Sequence, residues 1–388
     1  MAAIADLLEE AQGRTGLSDF GDDGFRDGLE RLVRAIDAEA GLNAIGAYVM
    51  RDRIVTLLAN RLQVEDWYRR HPEIDGEVIA APLIGLGLPR TGSTALSFLL
   101  AADPQARSLR TWESNEPCPP PSTVDGADPR IARAQAAHDM QQQVAPRMAS
   151  LVPSSPTGPM ECQELMGMDF RSQYFCAFAK IPSYSDWLLG ADLTGTYSYE
   201  KRALKLLQWG SPTRSWRLKA PTHLLYLDAL DRVFPDARFV MTHRDPTEVM
   251  LSVCDLYAEV RRMCSDEVDL HEVRALNVEQ CTVAMDRALA FRTDPVNDAR
   301  FYDMDFRTVQ ADPIGEVRGL YAWLGEEVSA DFETGMQAWW QANAQTREAN
   351  VHPDPADFGL DLDAVRPLFA TYTAAAARWT AHDGKERT

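Results

Sequence analysis

The 388-residue chain has six cysteines (Cys118, Cys162, Cys176, Cys254, Cys264 and Cys281) and no C-x-x-C spacing among them, which argues against a zinc site. Each reads as a small core hydrophobe kept reduced. No stretch approaches 18 apolar residues, and no basic n-region with a long apolar h-region opens the chain. A membrane span and a secretory leader are therefore not expected, and the chain reads as cytoplasmic. Positive charge is scarce: 39 Lys and Arg stand against 58 Asp and Glu, a net charge of −19. That balance speaks against nucleic acid or an anionic membrane as partner. There is no solenoid-type repeat and no low-complexity tract. What remains is ordinary globular composition, 45% apolar and 25% charged, on a chain long enough for one or two domains.

Because cations are few, their positions carry meaning. Leu83–Leu100 reads as a buried strand, a glycine-punctuated turn and an apolar helix. Pro82 suits a strand's first position, since it cannot donate to a ladder. Leu83, Ile84, Leu86 and Leu88 form the continuous apolar run of a parallel strand covered on both faces. Gly87 and Gly92 permit backbone conformations closed to other residues, while Ser93 and Thr94 are suited to cap the helix. A helix starting there aims free N–H groups and its positive dipole end at the turn, as an anion site requires. The spacing Gly87-x4-Gly92 matches the front half of an ATP-binding loop, but Ser93 stands where that loop has lysine. Arg90 is the loop's cation, and a guanidinium forks readily onto anionic oxygens.

Residues 1–75 show helical periodicity alone, in Phe25, Leu29, Leu32, Val33 and Ile36 and again in Ile54, Leu57, Leu58 and Leu62. The reading is a helical N-terminal extension over 1–78, packed on the main domain of 79–388 or on a second subunit, so a homodimer stays open. The extension's arginines, among them Arg53 and Arg61, are expected on a solvated face. After Asp103-Pro104, residues 112–122 (WESNEPCPPPS) carry four prolines and read as a stiff loop bearing Glu113 and Glu116. Glu161 and Glu164 follow on an expected helix. Aromatics crowd 170–199, either packing a core or lining an apolar pocket. Trp216–Leu218 is a strand ending at Lys219, and a helix with Leu224, Leu227 and Leu230 on one face follows. Ala237–Thr242 is a second buried strand, ending at His243-Arg244, and residues 300–304 are a further strand. The β-α-β order implies a parallel sheet with right-handed crossovers, where ligands sit at the strands' carboxyl ends. Arg90, Lys219 and Arg244 fall at three such ends. His243 alternates to the other side of its strand and reads as structural.

The ordered set GLPRTGSTAL, then ADP and WE, then LKAPTHLLYLDALDRVFPDARFVMTHRDPTEVMLS, resembles the sulfotransferase family, in its bacterial branch with a helical N-terminal extension. The likeness covers roughly residues 80–120, 215–260 and 300–326. It implies a P-loop-like α/β fold, a parallel sheet flanked by helices, with a helical C-terminal region. It also implies 3′-phosphoadenosine 5′-phosphosulfate (PAPS) as sulfuryl donor and 3′,5′-ADP (PAP) as product, with no metal. By the same resemblance Arg90, Thr91, Gly92, Ser93 and Thr94 would cradle the 5′-phosphosulfate, and Arg244 and Ser252 the 3′-phosphate. Lys219 would neutralise the bridging oxygen, and Tyr302 would lie against adenine. Two residues stand where branches of the family place the base that takes the acceptor's proton, Glu113 and His223. The basic C-terminal clamp of the animal enzymes has no clear counterpart; the tail offers Lys385 and Arg387.

The implied reaction is sulfuryl transfer to a hydroxyl of a small molecule, and the aromatic segment favours a lipophilic one such as a phenol or sterol. Two alternatives stand beside it. An ATP-dependent kinase or NTPase would need the absent loop lysine and a Mg²⁺-binding acid at a strand end. A non-catalytic nucleotide-binding protein would have no need of Lys219 beside a carboxylate.

Overall fold

A computed structural model describes residues 3–212, 214–346 and 353–381; Lys385 and Arg387 lie outside them. Five strands form one parallel sheet in the order β2-β3-β1-β4-β5: β1 Leu83–Gly87, β2 Ala106–Ser108, β3 Ser215–Lys219, β4 Arg238–His243 and β5 Phe301–Asp305. β1 is central and wholly buried, as its unbroken apolar run requires. Successive residues of the sheet serve opposite cores. Ile84, Leu86, Phe239 and Met241 join the large core, and Leu83, Val240, Tyr302 and Met304 join a smaller one. The smaller core is closed by helix α4 (Ser93–Leu100, the fourth along the chain) and by the helices Pro313–Leu324 and Ala330–Thr346. Gly325, at φ 75°, ends the Pro313–Leu324 helix as the sequence suggests.

The extension is three helices, α1 Ile4–Thr15, α2 Phe25–Glu39 and α3 Ala44–Arg70. Their apolar stripes, including Phe25, Leu29, Leu32, Ile54, Leu58 and Leu62, are buried in the same continuous core as one face of the sheet. A Cβ on Gly46 of α3 would stand 2.1 Å from the Cys264 carbonyl oxygen, so only glycine lets α3 approach the end of the Pro246–Cys264 helix. The solvated-face reading fails for Arg61, which is 2% exposed. Its guanidinium donates to the carbonyls of Phe20 (2.7 Å) and Asp22 (2.9 Å) and lies over the Phe25 and Tyr199 rings. Arg53 pairs with Glu164. Both arginines tie the extension to the rest of the chain, a role their local sequence does not show.

The proline-rich loop begins with a short helix, Thr111–Asn115, before its first proline. The 170–199 aromatics prove to be packing: Phe170, Phe175, Tyr184 and Tyr197 are buried in the large core. Among the described residues no helix is long and apolar enough to cross a membrane.

Candidate active site at the carboxyl edge of the sheet

The strand order puts β1 between β3 and β4, where the crossovers diverge to opposite sides, the place in an open parallel sheet where a crevice forms. A cavity of about 1440 Å³ opens there. That exceeds the volume of about 300–1,000 Å³ common for small-molecule sites. The turn after β1 forms its floor. Gly87 has φ 139°, and a Cβ there would lie 2.5 Å from Thr242 Oγ1, so the turn can press onto β4 only with glycine. Arg90 and Gly92 are also left-handed, at φ 68° and 92°. Gly92 caps α4, whose first residues Ser93 and Thr94 line the cavity. The helix therefore presents its free N–H groups to whatever anion enters.

Three positive groups expected at strand ends surround this floor. Arg90 Nε donates to Ser252 Oγ (3.0 Å) and Nη1 to the Leu151 carbonyl (2.6 Å). Arg244 donates to the Arg90 carbonyl (3.1 Å), pairs with Glu248 at 3.0 Å and lies 4.5 Å over the Phe306 ring. Lys219, 5% exposed, reaches Thr94 Oγ1 at 3.2 Å and Glu161 Oε1 at 2.5 Å. A fourth cation on the lining, Arg147, is held by Asp255 and Glu259. In a chain of net charge −19 this is the concentration of positive charge that an anion site requires. The wall beside it is apolar, with Phe98 stacked on Trp339 (4.9 Å between centroids) and Leu151, Val152 and Leu256 nearby.

Arg90, Gly92, Ser93, Thr94, Arg244 and Ser252 thus meet on one cavity, with the Lys219 amine just beneath its wall. Four expectations are placed elsewhere. The Thr91 hydroxyl is buried between Leu88 O and Thr242 Oγ1, both at 2.7 Å, and so fixes the turn. Tyr302 is buried against Trp323, with Gly319 leaving room for its hydroxyl, and does not line the cavity. Phe306, four residues on, does line it, as Phe98 and Trp339 do; it is the first residue of the helix that follows β5.

Neither expected base reaches the cavity. Glu113 is 3% exposed, accepting from Arg107 Nη2 (2.7 Å) and from the Arg110 N–H (3.0 Å). Burial raises its pKa against the pull of Arg107. His223 is fully buried, its Nδ1 2.9 Å from the Tyr197 hydroxyl and its Nε2 without a hydrogen-bond partner among the described residues. Burial, with the nearby Lys219 charge, lowers its pKa to about 3. An imidazole that weakly basic is a poor proton acceptor at neutral pH. His223, Cys162 and Glu200 bring their polar atoms within 4.8 Å of one another. Burial raises Glu200 to about 8 and the Cys162 thiol well up, so both hold their protons at neutral pH and the cluster is uncharged. His243 is structural, as expected, bonded to Asp303 Oδ1 (2.8 Å) and facing Tyr372 (3.0 Å).

The carboxylate that does line the cavity is Glu161, which the sequence offers without distinction. It stands on the loop before the short Gln163–Met166 helix, 58 residues from Lys219, and no local motif links the two.

A cleft of this form joins a glycine turn, a helix N-terminus and flanking cations, with no loop lysine. Comparison with known proteins gives the family. The sulfotransferase family profile matches residues 82–330, and the chain belongs to that family. It is similar over 97% of its length, and 97% of the other's, to the crystal structure of sulfotransferase STF9 from Mycobacterium avium, with 32% identity and a TM-score of 0.89. Sulfotransferase STF1 from Mycobacterium tuberculosis H37Rv aligns over 95% of this chain and 99% of that one, with 31% identity and a TM-score of 0.84. A curated relative, omega-hydroxy-beta-dihydromenaquinone-9 sulfotransferase Stf3 of Mycobacterium bovis, is 32% identical over 116 residues. That match spans 30% of this chain and 29% of the relative.

Proposed function

We propose that the protein transfers the sulfuryl group of PAPS to a hydroxyl of a small lipophilic acceptor, releasing 3′,5′-ADP. The observation that carries the reading is the convergence of the glycine turn, the α4 N-terminus, Lys219 and the Arg90–Ser252–Arg244 group on one cavity. A nucleotide with phosphate at both ends of its ribose needs two anion sites. The α4 N-terminus with Lys219 supplies one, and Arg244 with Arg90 and Ser252 supplies the other. Phe306 is the aromatic at hand for the adenine. The donor brings an activated sulfur–oxygen bond.

The chain's own groups then do three things. N–H groups at Gly92–Thr94 hold the non-transferring oxygens, a preorganised stabilisation of developing charge. Lys219, positioned by Thr94, neutralises the bridging oxygen as its bond to sulfur breaks. The Phe98–Trp339 wall excludes water and receives an apolar acceptor. The acceptor class is also supported by the relative named for a hydroxylated menaquinone derivative. The extension of residues 1–78 is then a support built onto the transferase unit of 79–388.

The test is thermal stability with 3′,5′-ADP, against ATP with and without Mg²⁺. A ligand at about 100 times its dissociation constant stabilises the native state by roughly 2.7 kcal/mol. In a chain of this length that raises Tm by about one to a few degrees. A rise with 3′,5′-ADP that ignores metal is expected; a rise only with Mg²⁺-ATP would return the kinase reading. Sulfate transfer to phenols and sterols, and not to sugars, checks the acceptor class.

A further inference from the structure

We infer that Glu161 takes the proton from the acceptor hydroxyl, an assignment that rests on the sulfuryl-transfer reading above. Among the described residues lining the cavity it is the carboxylate, whereas Glu113 and His223 are enclosed away from it. Its backbone is pinned on both sides: the Met160 N–H donates to Leu109 O (2.8 Å) and the Cys162 N–H to Lys219 O (3.0 Å). The second of these bonds ties the loop to the end of β3, next to the amine that meets the leaving oxygen. The side chain stays 24% exposed, enough to touch an acceptor and pass a proton on to water.

Among the described residues each carboxylate oxygen has one hydrogen-bond partner, Lys219 Nζ on Oε1 and Gln163 Nε2 (2.6 Å) on Oε2, and each oxygen can accept more than one bond. The ionisable groups facing it are Lys219 from β3, Tyr257 from the Pro246–Cys264 helix and Cys162 beside it. Burial raises the pKa of both Tyr257 and Cys162, so Lys219 supplies the charge. With no donor present, Lys219 and Glu161 satisfy each other. The donor's anionic oxygens draw Lys219 toward the bridging position and release Glu161 to bind the acceptor. The hydroxyl's O–H bond then breaks. Its proton goes to a Glu161 oxygen, and its electron pair stays on the acceptor oxygen, which bonds to sulfur. The bond from sulfur to the bridging oxygen breaks, and its pair leaves with the 5′-phosphate beside Lys219.

Glu161→Gln tests this with PAPS, a phenolic acceptor and 3′,5′-ADP. The expected result is a kcat lowered by about 10²–10⁴-fold, the yield of one positioned base. The 3′,5′-ADP thermal shift should be kept, and the acidic limb of the kcat/KM–pH profile lost. Turnover within twofold of wild type with an unchanged profile overturns the assignment. Should the glutamine variant fail to fold, Glu161→Ala with added formate decides: rescued turnover supports the role, and no response to formate overturns it. Wild-type protein that binds 3′,5′-ADP yet transfers nothing from PAPS overturns the sulfuryl-transfer reading and this inference with it.

Discussion

Replacing Glu200 with glutamine should change how stability depends on pH, by an amount set by the enclosure of one carboxyl group. Buried beside Cys162 and His223, Glu200 titrates near 8 in the folded chain, against an ordinary 4.5. Between those values the folded chain keeps a proton that the unfolded chain releases. Its contribution is therefore full below pH 4.5, falls as pH rises through 8 and is level beyond. Each pH unit is worth about 1.4 kcal/mol, so from pH 5 to 8 the wild type loses on the order of 4 kcal/mol that a glutamine does not lose. His223 slopes the other way. Lowered from 6.5 to about 3 by burial and by Lys219, it contributes fully above pH 6.5 and loses that contribution as pH falls through 3. The two slopes oppose each other between 4.5 and 6.5, and Glu200 alone of the pair acts from 6.5 to 8. Urea unfolding of wild type and Glu200→Gln at pH 5, 6.5 and 8 reads the difference directly. The gap should move in the variant's favour by several kcal/mol across that range. A gap constant to within about 1 kcal/mol would refute burial as the source of the shift, and with it the uncharged state assigned to this cluster.

Three further outcomes follow from the site and the sheet. Lys219→Ala should lower kcat by about 10²–10³-fold while leaving the 3′,5′-ADP thermal shift in place, since in the proposed transfer the amine acts on charge that develops as the donor bond breaks; loss of both would make it a binding residue. Arg244→Ala should weaken 3′,5′-ADP by about 10–100-fold in calorimetric titration, the loss of a charge-assisted bond worth about 1.5–3 kcal/mol. It should leave 5′-AMP, which has no 3′-phosphate, unchanged. Asp303→Asn should cost about 3–5 kcal/mol in urea unfolding, because Asp303 accepts from both Arg292 Nη1 (2.7 Å) and Nη2 (2.8 Å) and its loss leaves the buried guanidinium with the half-exposed Asp298, on Nε, as its remaining carboxylate. A loss below about 1 kcal/mol would contradict the buried network.

Local chemistry in the sequence was enough to reveal four of the sheet's five strands, all but the three-residue β2, and the glycine turn with its neighbouring cations. The run at 83–88 is apolar throughout, and 239–241 likewise, because strands covered on both faces have no polar side. Gly87 and Gly92 are punctuation with a backbone reason. Arg90, Lys219 and Arg244 stand at or within three residues of the ends of their strands, and a parallel sheet gathers such residues at one edge. The tertiary structure alone decided which side chains face the cavity. Glu113, close in sequence to the anion loop, is turned inward by Arg107 and the Arg110 N–H. His223, four residues past Lys219, is carried into the core by the turn at Pro221–Leu225. Tyr302 points to the smaller core while Phe306 takes the site. Glu161 and Lys219 meet across 58 residues through a loop whose backbone bonds to the end of β3. Helical and strand periods are properties of neighbours along the chain, so one sequence displays them. The direction of a loop carboxylate is set by packing between distant segments, and that is settled only when the chain has folded.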